Sequence, residues 1–332
     1  MSMPLTPPAR PKRVFLLGAT GTIGRATVRA LLDKGHHVTC FLRPAAQGDP
    51  RRSLPPEADL RFGDVTDRAS LIGDGFAVQR FDTMVSCMAS RTGMARDAWA
   101  IDHKAHADML EPARAAGVSH VVLLSALCVQ KPRLAFQHAK LAAEAALIAS
   151  GLTYSIVRPT AFFKSLSGQV ARVQAGKPFL LFGNGALTAC KPVSDGDLAR
   201  YLADCVDDPA RANRILPIGG PGPAITPRAQ GEMLFRLLGQ RPRFRHVPVG
   251  AMDAVIAGLG LAGRVAPRLR DTAELARIGR YYATESMLWR DPDTGRYDAD
   301  ATPETGSDTL EDFYAALIRG QASVDLGDHA VF

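Results

Sequence analysis

Residues 18–25 read GATGTIGR, directly after the apolar run VFLL and directly before ATVRALLDKG. The apolar run suits a strand buried on both faces, and the spacing after it suits an amphipathic helix that stops at Gly35. A strand that ends in a glycine-rich turn and opens at once into a helix aims backbone N–H groups, and the positive end of the helix, at one point in space. Gly18 permits the tight turn, Gly21 permits close approach of a ligand to the backbone, and Gly24 lets the helix lie against the sheet. Thr20, Thr22 and Ile23 complete the turn. The pattern stands in the strand–turn–helix context that gives it meaning, so it is read as a dinucleotide pyrophosphate site.

The same alternation continues downstream. HVTCFLR, DLRFGDVTD, DTMVSCMAS, SHVVLLSAL and TYSIVRP read as further strands. RDAWAIDHKAHADMLEPARAAG and FQHAKLAAEAALIASG read as helices between them. Strands and helices in alternation require parallel crossovers with helices on both faces. The expected fold is therefore α/β, a doubly wound parallel sheet of the NAD(P)-binding Rossmann type, over residues 12–160. Beyond Pro159 the pattern loosens. FFKSLSGQVARVQAG, SDGDLARYLADCVDD, ITPRAQGEMLFRLLGQ, the region 250–288 and TLEDFYAALIRGQ read as helical, with one strand in ANRILPIGG. Residues 161–325 are expected to form a smaller, mostly helical substrate-binding part interwoven with the first.

Composition narrows the class. The formal net charge is +7, but the arginines are dispersed, with only a modest concentration in RPRFRH and APRLRD. No block resembles a nucleic-acid-binding arm, so a nucleic-acid partner is not expected. The five cysteines show no metal-binding spacing and sit in apolar runs, as small buried residues do in a reducing compartment. MSMPLTPPARPKR has no apolar core of the secretory kind, and AVIAGLGLAG is too short to span a bilayer. The expected location is the cytoplasm, with peripheral contact to a membrane allowed.

The ends of the strands supply the remaining candidates. Arg43 ends the second strand, where NAD-binding folds usually carry an acid for the ribose 2′-hydroxyl. A guanidinium there suits a 2′-phosphate, so NADPH is the expected cofactor. Asp64, followed by Val65, ends the third strand and is placed beside the adenine; Pro159 ends the strand TYSIVRP. Short-chain dehydrogenases carry a Tyr four residues before a Lys on the helix after the fifth strand, with a Ser at the end of that strand. This chain has Lys140 and Ser125 but Phe136 in the tyrosine position, which removes the usual phenolic acid.

GATGTIGR, GDVTD, FQHAK and above all TYSIVRPTAFFKSLSGQV resemble the divinyl (proto)chlorophyllide 8-vinyl reductase family, atypical short-chain reductases. The resemblance covers roughly residues 12–320. It implies NADPH-dependent reduction of the C8 vinyl group of a Mg-containing divinyl tetrapyrrole to ethyl, in (bacterio)chlorophyll synthesis. Plant members carry a transit peptide; the absence of one here implies a bacterial member in the cytoplasm, at most peripheral to the photosynthetic membrane. Lys140 is then the catalytic candidate, and Phe136, Phe162 and Phe163 form a flat apolar wall for the macrocycle. Hydride addition to a conjugated vinyl group spreads charge into the ring and leaves no carbonyl oxyanion, so a phenolic acid is dispensable. The magnesium belongs to the substrate and no protein metal site is expected, with His103, His106 and His138 the only candidates to touch it. A non-catalytic NADP(H)-sensing regulator of the NmrA type and an isoflavone-reductase-like enzyme share the glycine turn; the RPTAFFKSL segment favours the vinyl reductase over both.

Overall fold

The computed structural model describes residues 10–44, 49–264 and 266–324. Residues 1–9 of the N-terminal segment, 45–48 of the loop after Arg43 and the end of the 161–325 part, from 325, lie outside that description. The apolar run before the glycines is β1 (Arg13–Leu17), and α1 (Thr22–Asp33) follows the turn. Next come β2 (His37–Leu42), β3 (Asp59–Phe62), β4 (Thr83–Ser86), β5 (His120–Leu124), α2 (Ala135–Ala149) and β6 (Thr153–Pro159). The line at 160 falls at the end of β6. Beyond it lie β7 (Phe179–Phe182), α3 (Asp195–Asp207), β8 (Arg214–Ile218), α4 (Pro227–Leu237) and β9 (Phe244–Val247). The chain continues with α5 (Val249–Ala262), α6 (Pro267–Thr284) and α7 (Leu310–Ile318).

Among the described residues, seven strands form one parallel sheet in the order β3-β2-β1-β4-β5-β6-β8. The chain reverses its direction of winding between β1 and β4. The crevice at that switch point, outside the carboxyl ends of the strands, is where such sheets bind ligands.

Period-two alternation sends the strand side chains into two cores. Val14 and Leu16 of β1 face Val28 and Leu31 of α1 and Leu198, Leu202 and Val206 of α3. Phe15 and Leu17 face the other way, against Phe41, Phe76, Met109 and Leu147. The second half of the chain thus covers part of the first: α3 lies on α1, and β8 extends the sheet from β6.

The helix expected over 96–117 is broken. It runs as Ala95–Ala98, a π-helical stretch Trp99–Ala105, then His106–Asp108 and Leu110–Ala115. Pro112 accounts for the restart at Leu110, because proline is tolerated only in the first turn of a helix. The π-helical stretch, a geometry frequent at functional sites, carries Asp102.

The C-terminal part has its own core of Phe163, Phe179, Leu234, Phe235 and Tyr314, built on α4, α7 and the parallel pair β7–β9. FLLF and FRHV form that pair although neither reads as a strand locally, because four residues are too few to show a period. The helices α5 and α6 pair as a hairpin, α6 packs on Phe136 and Cys128, and none of the residues of α5 is buried.

Candidate active site

The glycine turn has the geometry that its spacing demands. Gly18 has φ +80°, and a Cβ there would lie 2.6 Å from the backbone carbon of Cys87. The β1 turn and the end of β4 therefore touch backbone to backbone. A Cβ on Gly24 would lie 2.0 Å from the Gly18 carbonyl oxygen, so only glycine lets α1 start this close to the turn. Gly21 differs: its nearest atom would be 3.5 Å away, and it lies exposed at the N-cap of α1. No side chain caps that helix and no acid occupies its first turn. Its leading N–H groups are thus left to an external acceptor, which suits a pyrophosphate.

The other expected residues line the carboxyl ends of neighbouring strands. Arg43 is exposed after β2. Its charge reaches Asp64, whose carboxyl is held below the usual range first by the Thr66 hydroxyl and backbone N–H and then by Arg43. One Asp64 oxygen accepts from the Thr66 N–H at 2.8 Å and its hydroxyl at 2.7 Å, so the turn after β3 is closed by its own side chain. Val65 is buried in the core on that face of the sheet and offers a ligand only its backbone. Thr20 is exposed on the turn, Ile23 packs into the first core, and Thr22 lies beside the half-buried Asp195 of α3. Pro159 is buried in register with Ile218.

On α2 the structure supplies partners that the sequence reading did not name. Lys140 donates to Asp102 at 3.1 Å, and Asp102, 1% exposed, accepts from the Ser90 hydroxyl at 2.5 Å. One turn later Glu144 accepts a hydrogen bond from the Ser125 hydroxyl and is clamped by both ends of the Arg158 guanidinium. Ser125 therefore spends its only proton on a buried carboxylate and presents acceptor lone pairs alone. A cavity of about 10 Å³, room for about one water, is lined by Asp102, His106, Ser125 and Lys140.

His106 sits under this group with both ring nitrogens engaged. Nδ1 donates to the Ile101 carbonyl at 2.9 Å, which leaves Nε2 to accept from the Ser86 hydroxyl, also at 2.9 Å. Burial, and then the Lys140 charge, lower its pKa to about 4, so the ring is neutral at physiological pH. It is not available to touch a substrate metal. His103 lies edge-on to Trp99, and His138 is exposed on α2.

The three aromatics part company. Phe136, one turn before Lys140, packs among Ala98, Cys128, Met287 and Tyr281, with Ile278 against it, and Gly93 faces its ring. Helix α6 thus roofs the position where a catalytic tyrosine would stand. Phe162 is half-buried beside the first core, which Cys87 also borders. Phe163 departs from the expected wall: it is 4% exposed and tilted against Phe313 in the C-terminal core, so its ring is structural.

A family model for NAD(P)H-binding proteins matches residues 18–209, the stretch that carries the glycine turn, Arg43, Asp64, Ser125, Lys140 and Pro159. A divinyl chlorophyllide a 8-vinyl-reductase of Oryza sativa subsp. indica is 52% identical over 96% of this chain and 82% of its own length. The chain belongs to the divinyl chlorophyllide a 8-vinyl-reductase family. The Arabidopsis thaliana member is 47% identical over 95% of this chain and 79% of its own length. This vinyl-reductase family member is an oxidoreductase with a nicotinamide-dinucleotide-binding domain. A leucoanthocyanidin reductase solved with NADPH, from Vitis vinifera, shares the fold, with a TM-score of 0.69 at 15% identity over 92% of this chain and 99% of that one. The rice and Arabidopsis relatives are both chloroplastic, which overturns the cytoplasmic location expected from the sequence. No helix among the described residues is long and apolar enough to cross a membrane.

Proposed function

We propose that the chain uses NADPH to reduce the 8-vinyl group of divinyl chlorophyllide a to ethyl. The observation that carries this reading within the family is the pair of groups around α2. Phe136 has no proton to give, and the Ser125 proton is committed to Glu144. A carbonyl reductase needs a donor at the position of the developing oxyanion. This site is without one at both customary places, whereas a vinyl group conjugated to a macrocycle develops no localised oxyanion.

Gly18, Gly21, Gly24 and the first turn of α1 would hold the pyrophosphate. Arg43 would take the 2′-phosphate, with Asp64 and the backbone of Val65 at the adenine end. When bound, NADPH would supply the hydride, and water would supply the proton that completes the ethyl group. Lys140, held in line by Asp102, binds the ribose hydroxyls near the nicotinamide and keeps positive charge beside the reacting carbons. Asp102 is a positioning residue: buried and hydrogen-bonded to Ser90, it limits the lysine to one reach. The half-buried Phe162 offers apolar surface to a flat substrate, and Phe136, covered by α6, lines the site as a buried apolar backing that excludes water.

The test is anaerobic incubation of the purified protein with NADPH and divinyl chlorophyllide a, followed by pigment chromatography. The 8-ethyl product must appear with stoichiometric loss of NADPH absorbance. No conversion, or faster reduction of a carbonyl substrate, overturns the reading.

A further inference from the structure

Helix α5 reads VGAMDAVIAGLGLA, with Asp253 as its one charged residue. Val249, Met252, Ile256 and Leu259 are half-buried, on the side that α6 shelters. The opposite stripe, Ala251, Ala254, Val255, Gly258 and Leu261, faces solvent; Val255 is 57% and Leu261 64% exposed. Asp253 does not break the apolar character, because the Arg280 guanidinium of α6 grips both of its oxygens. A helix of this length is about 21 Å of nearly uncharged surface that the fold leaves uncovered.

Both ends of α5 are basic. Arg241, Arg243 and Arg245 stand exposed in and before β9, which leads into the helix. Arg264, Arg270 and Arg277 stand exposed at and beyond the turn into α6; Arg270 donates to the Gly263 carbonyl at 2.6 Å, which fixes that turn. Over residues 241–280 the sequence has eight arginines against three acids, a surplus of five.

We propose that the α5–α6 hairpin docks the protein on an anionic lipid surface, with the exposed stripe of α5 entering the interface and the flanking arginines meeting headgroup phosphates. Charge decides between occupants. A second copy would set the same arginines against one another, whereas anionic headgroups complement them. The helix is too short to span a bilayer and has the apolar face that an interfacial helix requires. The hairpin also joins this surface to the site, since Ile278 and Tyr281 of α6 pack on Phe136. The proposal does not depend on which substrate the site reduces, and its test uses none.

The experiment is flotation of the purified chain with vesicles of equimolar phosphatidylglycerol and phosphatidylcholine, beside vesicles of phosphatidylcholine alone. Wild type is expected to partition about tenfold more onto the anionic vesicles, and added salt should weaken that partition. Val255→Asp with Leu261→Asp should lose most of the binding while melting at the wild-type temperature and binding NADPH unchanged. Arg264→Glu with Arg277→Glu should remove the preference for anionic lipid. Equal flotation of wild type and the Val255/Leu261 variant overturns the proposal. So does a wild-type dimer, seen by light scattering and dispersed by that variant, with no vesicle binding; the stripe is then an interface between copies.

Discussion

Gly24→Ala and Gly21→Ala add the same methyl group three residues apart, and the structure predicts opposite phenotypes. At Gly24 the new carbon lies 2.0 Å from the Gly18 carbonyl oxygen and 3.0 Å from the Ala19 Cα. Both obstacles are backbone, so no rotamer relieves them. Bringing the closer contact out to even 3.0 Å requires the turn and α1 to part by about 1 Å. Overpacking of this kind costs roughly 2–3 kcal/mol, and a chain of this size loses about 2 °C of Tm per kcal/mol, a fall of roughly 4–6 °C. At Gly21 the nearest atom is 3.5 Å away and the backbone is extended, φ −72°, ψ 163°, which alanine adopts freely. Stability should therefore stay within about 0.5 kcal/mol of wild type. The methyl instead occupies the exposed side of the turn where the pyrophosphate must approach, and NADPH affinity should drop on the order of tenfold or more, about 1.4 kcal/mol. Scanning fluorimetry reads the first effect and a titration of NADPH fluorescence the second. If Gly21→Ala melts as early as Gly24→Ala, or binds NADPH as wild type does, the division of labour among the glycines is refuted.

Arg43→Ala should weaken NADPH by one to two decades, roughly 1.5–3 kcal/mol for a lost charge-assisted contact, and leave NADH nearly unchanged; equal losses for both would remove the 2′-phosphate role. Lys140→Met should cost about 3–5 kcal/mol of stability, because Asp102 is left buried and uncompensated. The double variant with Asp102→Asn should recover the melting temperature without recovering turnover, and recovery of both would make the pair merely structural. The neutral His106 gives a pH signature. Its folded pKa, about 4, lies below the ordinary 6.5, so between those values the unfolded chain holds a proton that the folded chain refuses. Stability should fall as pH drops through that window, by up to about 1.4 kcal/mol per pH unit, and His106→Gln should show a shallower slope of Tm against pH; parallel curves would contradict the buried neutral ring.

Local pattern determined the first half of this protein. The run VFLL, the three glycines and the helix spacing after them are features of neighbouring residues, and β1, the turn and α1 follow from them with little help from elsewhere. The strand ends that present Arg43, Asp64, Ser125 and Pro159 were legible for the same reason, since parallel strands in alternation with helices must all finish on one side of the sheet. Lys140 and Phe136 were legible because one helical turn separates them. Tertiary structure alone decided the rest. Asp102 reaches Lys140 across 38 residues and Glu144 is clamped by Arg158 from the neighbouring strand, so neither pairing leaves a mark in any short window. The fate of Phe162 and Phe163 could not be read from their adjacency: a helix begins between them, and that start turns one ring to the edge of the first core and the other into the second. The short strands β7 and β9 exist because each completes the other. The bareness of α5 is likewise a fact of packing: a helix apolar on every side reads as buried in sequence, and only the placement of its neighbours shows that one face has been left to something outside the chain.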